Sequence, residues 1–86
     1  MNKNTTETMA FSKDEIRKEN IKDIFTLVNE ALNERGYNAV SQISGYLISN
    51  DPAYISSHMG ARLKIQEVDR YEIIDELVSF YLEHNK

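Results

Sequence analysis

The sequence predicts an all-α protein: a small compact helical domain of about four to five helices behind a flexible N-terminal tail, paired as a homodimer. Three observations predict it. Apolar residues recur at helical spacing in the first and last thirds of the chain. Helix caps and stops punctuate the stretch between them. And 86 residues leave room for one core only. A chain of that size buries about 60–65% of its unfolded surface, so a partner chain helps it fold.

Each element follows in order. Residues 1–11 read as a flexible tail and 12–86 as a single helical domain. Asn2 to Thr8 are polar, and only Met9 and Phe11 offer apolar anchors. Ser12 and Glu15 then form a capping box, with Asp14 at the positive end of the helix dipole. Ile21, Ile24, Phe25, Val28, Ala31 and Leu32 mark one helical face, which Ile16 and Leu27 widen. Gly36 supplies the left-handed stop, so the first helix runs from about Lys13 to Arg35.

Asn38 caps a second helix over Ala39–Ser49, with Val40, Ile43, Tyr46, Leu47 and Ile48 as its apolar positions. Gly45 sits inside it. An interior Gly costs about 1 kcal/mol against Ala, so close approach of another backbone or ring is the expected reason. Asn50-Asp51-Pro52 ends that helix and opens a short one, Pro52 to about Ser57, which presents Tyr54 and Ile55. His58-Met59-Gly60 breaks the chain again. Ala61, either Leu63 or Ile65, and Val68 outline a helix over about 61–68. The last helix, about Arg70–Glu83, carries an apolar surface wider than one small core requires. Its excess predicts burial by a second copy, with Ile73, Leu77, Phe80 and Tyr81 as the interface.

Composition excludes several function classes. The formal charge of −4 opposes bulk binding to nucleic acid or anionic membranes, which need a cationic field. With no Cys there is no disulfide frame, thiolate nucleophile or Cys-bound zinc, and a reducing cytoplasm is the expected setting. No apolar run approaches the roughly 18 residues of a membrane span, and the first residues lack the apolar stretch of a secretory leader.

Chemistry-bearing arrangements are sparse. Asp75 and Glu76 are adjacent, so on a helix they project about 100° apart and read as a solvated face. His58 and His84 lack the spacing of metal ligands. Ser56-Ser57-His58 is no catalytic triad, and the three glycines are scattered singly. Neither a catalytic group, a metal nor a cofactor is expected. Tyrosines gather near the break-rich centre, where Tyr37, Tyr46 and Tyr54 are candidates for a binding face or a core edge. Arg62 and Lys64 belong to a segment, Arg35–Lys64, where three cations meet one anion. They complete the candidate partner-binding set. A DNA-binding regulator is the rival reading, since short helices flank Asp51-Pro52. Its recognition helix would need donors for bases and phosphates, and Pro52–Ser57 offers no charged one.

The residues from Gly36 onward carry a specific combination: Gly36-Tyr37-Asn38, Gln42-Ile43, Gly45-Tyr46-Leu47, Asp51-Pro52-Ala53-Tyr54-Ile55, His58 and Ala61-Arg62. Asp69-Arg70, Glu72-Ile73-Ile74 and Glu76-Leu77-Val78 continue it, and Glu7-Thr8-Met9-Ala10-Phe11 precedes it in the tail. In these residues the chain resembles the IreB, or YrzL-like, family of small regulatory phosphoproteins. Ala39-Val40, Ser44, Ser56-Ser57 and Met59-Gly60 depart from the family's usual residues. The lost basic positions weaken any cationic capture of a phosphorylated tail.

The resemblance implies a non-enzymatic helical homodimer and a substrate of a membrane-spanning Ser/Thr kinase with extracellular PASTA domains. A PP2C-type phosphatase opposes that kinase, and members restrain cell-envelope stress signalling in Gram-positive bacteria. It further implies phosphoacceptor threonines in the tail. The Glu-Thr-x-x-Phe element carries that role to Thr8, and to Thr5 three residues earlier. Thr6 has no counterpart in the family, but it lies between the two and stays open as a further acceptor. The expected mechanism is a charge switch: unmodified, the tail contacts a partner or the domain through Met9 and Phe11, and phosphate at Thr8, secondarily Thr5, disfavours that contact or redirects the tail to Arg62 or Lys64. The downstream protein target is not named by any of these residues.

Overall fold

The computed structural model describes residues 13–85, and every regular element among them is helical. Helix α1 spans Lys13–Glu34. Twenty-two residues at 1.5 Å each make a rod of about 33 Å, on which the rest of the chain packs. Gly36 ends it at φ 76°. The Tyr37 N–H donates to the Leu32 carbonyl at 2.9 Å and the Gly36 N–H to the Asn33 carbonyl at 2.9 Å, the paired bonds of a Schellman stop. The helix closes one residue before the expected Arg35. Ser12, the first half of the expected capping box, lies outside the described residues.

Helix α2 spans Ala39–Ser49, as the sequence predicts. The Asn38 side chain caps it by accepting from the Ser41 N–H at 2.9 Å. Asn50 closes it in the left-handed region at φ 62°. Asp51 then accepts from the Ala53 N–H at 3.0 Å, with Pro52 in the first position of the next turn. That turn is a single 3-10 turn, Pro52–Tyr54, and not a helix to Ser57. The Ile55 N–H bonds back to Pro52, and the chain leaves extended.

A second 3-10 turn, His58–Gly60, passes through Met59 at φ 53° and breaks the chain where the sequence predicts. Helix α3 is shorter than expected, Ala61–Ile65. Gln66 and Glu67 already bond three residues back, so Val68 is buried from a turn and not from a helical face. Asp69 caps the last helix, α4, over Arg70–Glu83.

One face of α1 forms the core floor: Ile21, Ile24, Val28, Ala31 and Leu32 are buried. Ile43 and Tyr46 descend from α2, Ile55 from the loop, Ala61 and Ile65 from α3, and Ile73 from α4. α3 makes the most extensive contact with α1. The open choice between Leu63 and Ile65 resolves clearly, since Ile65 is fully buried and Leu63 is 74% exposed. Several expected core residues lie outside instead, among them Ile16, Val40 and Ile48. α1 outruns its cover at the N-terminal end, and α2 is covered on one side only.

Arg17 ties α1 to α4. Its guanidinium contacts Asp14 at 2.6 Å and Asp75 at 3.4 Å. The hydrogen bond to Asp14, helped by the charges of both carboxylates, raises its pKa, so it stays charged throughout the ordinary pH range.

Candidate functional site

The residues between α2 and α3 form the most tightly specified part of the surface. Three side chains from outside, and one glycine that makes room, hold residues 54–58 in place. Gln42 on α2 accepts the Ser56 N–H at 3.0 Å. Arg62 on α3 donates from Nε to the Ile55 carbonyl at 2.8 Å. Glu34, at the end of α1, meets His58 Nε2 at 2.5 Å. Gly45 lets the Tyr54 ring lie directly on α2: a Cβ there would stand 2.7 Å from Tyr54 Cδ1. This is the close ring approach that the interior glycine predicts. Separately, Arg70 at the start of α4 ties that helix to α2, donating to the Leu47 carbonyl at 2.5 Å.

These contacts reassign the partner-binding candidates. Tyr46 is only 5% exposed and belongs to the core, so it offers no face to a partner. The Arg62 guanidinium is engaged with the Ile55 carbonyl, and Lys64 stands 3.4 Å from Glu67. Tyr54 shows one half of its ring to solvent while the other rests on Gly45. Tyr37 is exposed beside the stop of α1. The structure brings Tyr54 and Arg62 to the same loop, where both serve its shape; it does not gather the five residues into one concavity.

The interface candidates on α4 separate by rotation about the helix. Ile73 is fully buried against the protomer's own core and has no surface left for a second copy. Leu77 is half-buried beside that core. Phe80 and Tyr81 are exposed, and Phe80 stacks on His84 with ring centroids 4.0 Å apart. The outward stripe is Tyr71, Ile74, Val78 and Tyr81, at 3-4-3 spacing, and every member is exposed. Tyr71, Ile74 and Val78 are not among the expected interface residues, although their spacing is legible in the sequence.

A second apolar feature is not legible in the sequence. A trough of about 440 Å³ lies between α1 and α4, lined by Ile21, Phe25, Leu77 and Phe80, with Lys18, Glu19, Lys22 and Glu76 at its edges. Phe25, Thr26 and Leu77 also line a further concavity of about 560 Å³, floored by Ala39, Val40, Ile43 and Leu47 of α2. Helical periodicity places Phe25 and Leu77 on inward faces. It does not show that the crossing of α1 and α4 leaves them half-covered.

Among the described residues, no group of three or more His, Asp or Glu is arranged to hold a metal ion. No described helix is long and apolar enough to cross a membrane. Asp75 and Glu76 point apart as expected, but only Asp75, which meets Arg17, keeps to a solvated face; Glu76 is half-buried and turns one carboxylate oxygen inward, without a hydrogen-bond partner among the described residues. The phosphoacceptor candidates Thr5 and Thr8, with Met9 and Phe11, lie outside the described residues.

The family model described as IreB regulatory phosphoprotein matches residues 6–83. The match includes Thr8 and nearly the whole helical unit, and it begins one residue after Thr5.

Proposed function

The chain belongs to the IreB regulatory phosphoprotein family, and from that premise we propose that it is a non-enzymatic cytoplasmic regulator read through phosphothreonine in its first residues. Thr8 is the principal acceptor and Thr5 the second. The modifying enzyme is a membrane-spanning Ser/Thr kinase with PASTA domains, opposed by a PP2C-type phosphatase. The regulator restrains a downstream protein target in the response to cell-envelope stress, in a Gram-positive bacterium.

The observation that carries this reading is the reach of the family match. It extends through Glu7-Thr8-Met9-Ala10-Phe11 and so takes in the acceptor element as well as the helical unit. The structure supports it in a second way. The signature residues Gln42, Gly45, Tyr54, His58 and Arg62 hold one loop to three helices. Residues spent on shape in this manner build a rigid platform, and function then falls to surfaces and segments outside it. The exposed stripe Tyr71, Ile74, Val78 and Tyr81 supports a homodimer, since paired α4 helices would cover it.

A Thr5→Ala/Thr8→Ala chain incubated with the kinase domain of the cognate PASTA kinase tests the central assignment. Phosphate incorporation falls to background if the two threonines are the acceptors. Undiminished incorporation eliminates them.

A further inference from the structure

We propose that the concavity between the end of α2 and the start of α4 is a socket for Tyr81 of a second copy, filled when two α4 helices pair antiparallel. The socket rests on the homodimer reading, and adds to it the direction of pairing and the place that receives the anchor.

The exposed stripe of α4 is symmetric about its middle. Tyr71 and Tyr81 lie five residues either side of Glu76, and Ile74 and Val78 lie two either side. An antiparallel pair centred at that level sets Tyr71 against the partner's Tyr81 and Ile74 against the partner's Val78. Each contact then occurs twice, as an isologous two-fold interface requires. The β-branched residues at the centre let the helix axes approach to about 8–10 Å. Antiparallel helices also place opposite dipole ends side by side. The tyrosine layers are bulkier and need room at their sides.

That room lies on the edge where the tyrosine arrives. Helical residues advance by about 100° each, so Tyr81 projects within about 20° of Arg70, and Tyr71 within about 20° of Leu82. The Arg70 edge of α4 faces α2, since Arg70 bonds the Leu47 carbonyl. A two-fold axis perpendicular to the helices brings like edges together. The partner's Tyr81 therefore stands level with Tyr71, on the Arg70 side. A concavity of about 420 Å³ opens at that point, and Tyr71 and Ile74 of the stripe line it. On the other edge Tyr71 covers the partner's Leu82, a residue 64% exposed in the single chain.

The lining suits a tyrosine. Pro52, Val68 and Ile74 offer apolar walls to a ring, and Asn50 offers a polar group to its hydroxyl. Leu47 engages one guanidinium nitrogen of Arg70, which leaves further donors for the hydroxyl and a cationic face for the ring. Asp69 also borders the socket, with one carboxylate oxygen capping the Tyr71 N–H at 3.3 Å. One cation and one anion together favour a neutral side chain with a polar tip over an ion.

Isotope-filtered NMR on a mixture of labelled and unlabelled 86-residue chains tests the socket. Expected are contacts from the Tyr81 ring protons of the unlabelled chain to the Val68 and Ile74 methyls of the labelled one. Tyr81→Ala, at an exposed position, should keep its helical circular dichroism and raise the dimer dissociation constant by about 30-fold or more, as loss of an interface anchor does. Contacts between the two Tyr81 rings, or from the Tyr71 ring to those methyls, show parallel pairing and overturn the socket while the dimer stands. A dimer whose inter-chain contacts avoid α4, or one as tight with Tyr81→Ala as without it, overturns the socket as well. A mass of 10.0 kDa by light scattering at micromolar concentration removes the homodimer reading and the socket with it.

Discussion

Gly45 shows at single-residue scale how the sequence encodes a contact it does not name. Glycine in mid-helix is costly, which points to a close neighbour. That the neighbour is Tyr54 follows only from the turn at Asp51-Pro52, which brings residue 54 back over α2. A double-mutant cycle exposes the coupling. Gly45→Ala alone drives the Tyr54 ring off the helix and destabilises the protein by about 1–3 kcal/mol, the usual cost of overpacking. In a Tyr54→Ala background the same change gains about 1 kcal/mol of helix propensity. Urea unfolding of the four proteins checks the reversal of sign, and additive effects would refute the contact. Arg62 teaches a different lesson. Its charge was legible in the sequence, but its engagement with the Ile55 carbonyl was not, because that bond joins residues on opposite sides of a break.

Elements were legible where a cap and a periodic face agree. α2 has Asn38 in front and Asn50-Asp51-Pro52 behind, and its bounds match the expected ones. α4 likewise begins on the Asp69 cap. α3 had neither a side-chain cap nor a clean period. Its alternation of Leu63 and Ile65 fits two registers, and the fold chooses Ile65 because α3 lies on α1. Two substitutions two residues apart therefore differ sharply. Ile65→Ala removes a fully buried side chain and costs about 2–5 kcal/mol. Leu63→Ala, at 74% exposure, stays within about 0.5 kcal/mol of the parent. Comparable losses at both positions would contradict the register of α3. The 3-10 turns were not legible as such, because one turn of helix and one 3-10 turn share the same caps.

For the whole molecule, the helical class and single core follow from length and periodicity, whereas the outward surfaces depend on how α1 and α4 cross. Ile73, the first residue expected at the interface, turns inward, and Val78 faces out in the stripe with Ile74. Light scattering at micromolar concentration should give twice 10.0 kDa. Val78→Glu should return the mass to that of a single chain without loss of helical signal, since the side chain touches solvent in the protomer. A monomeric parent would remove the dimer from the account. The proposed function depends on residues ahead of this scaffold, so the most direct measurement maps phosphate on the 86-residue protein after exposure to the proposed PASTA kinase. Tandem mass spectrometry should place it on Thr8 first and Thr5 second. Stoichiometric phosphate on residues 13–85, with both threonines unmodified, would contradict the assignment.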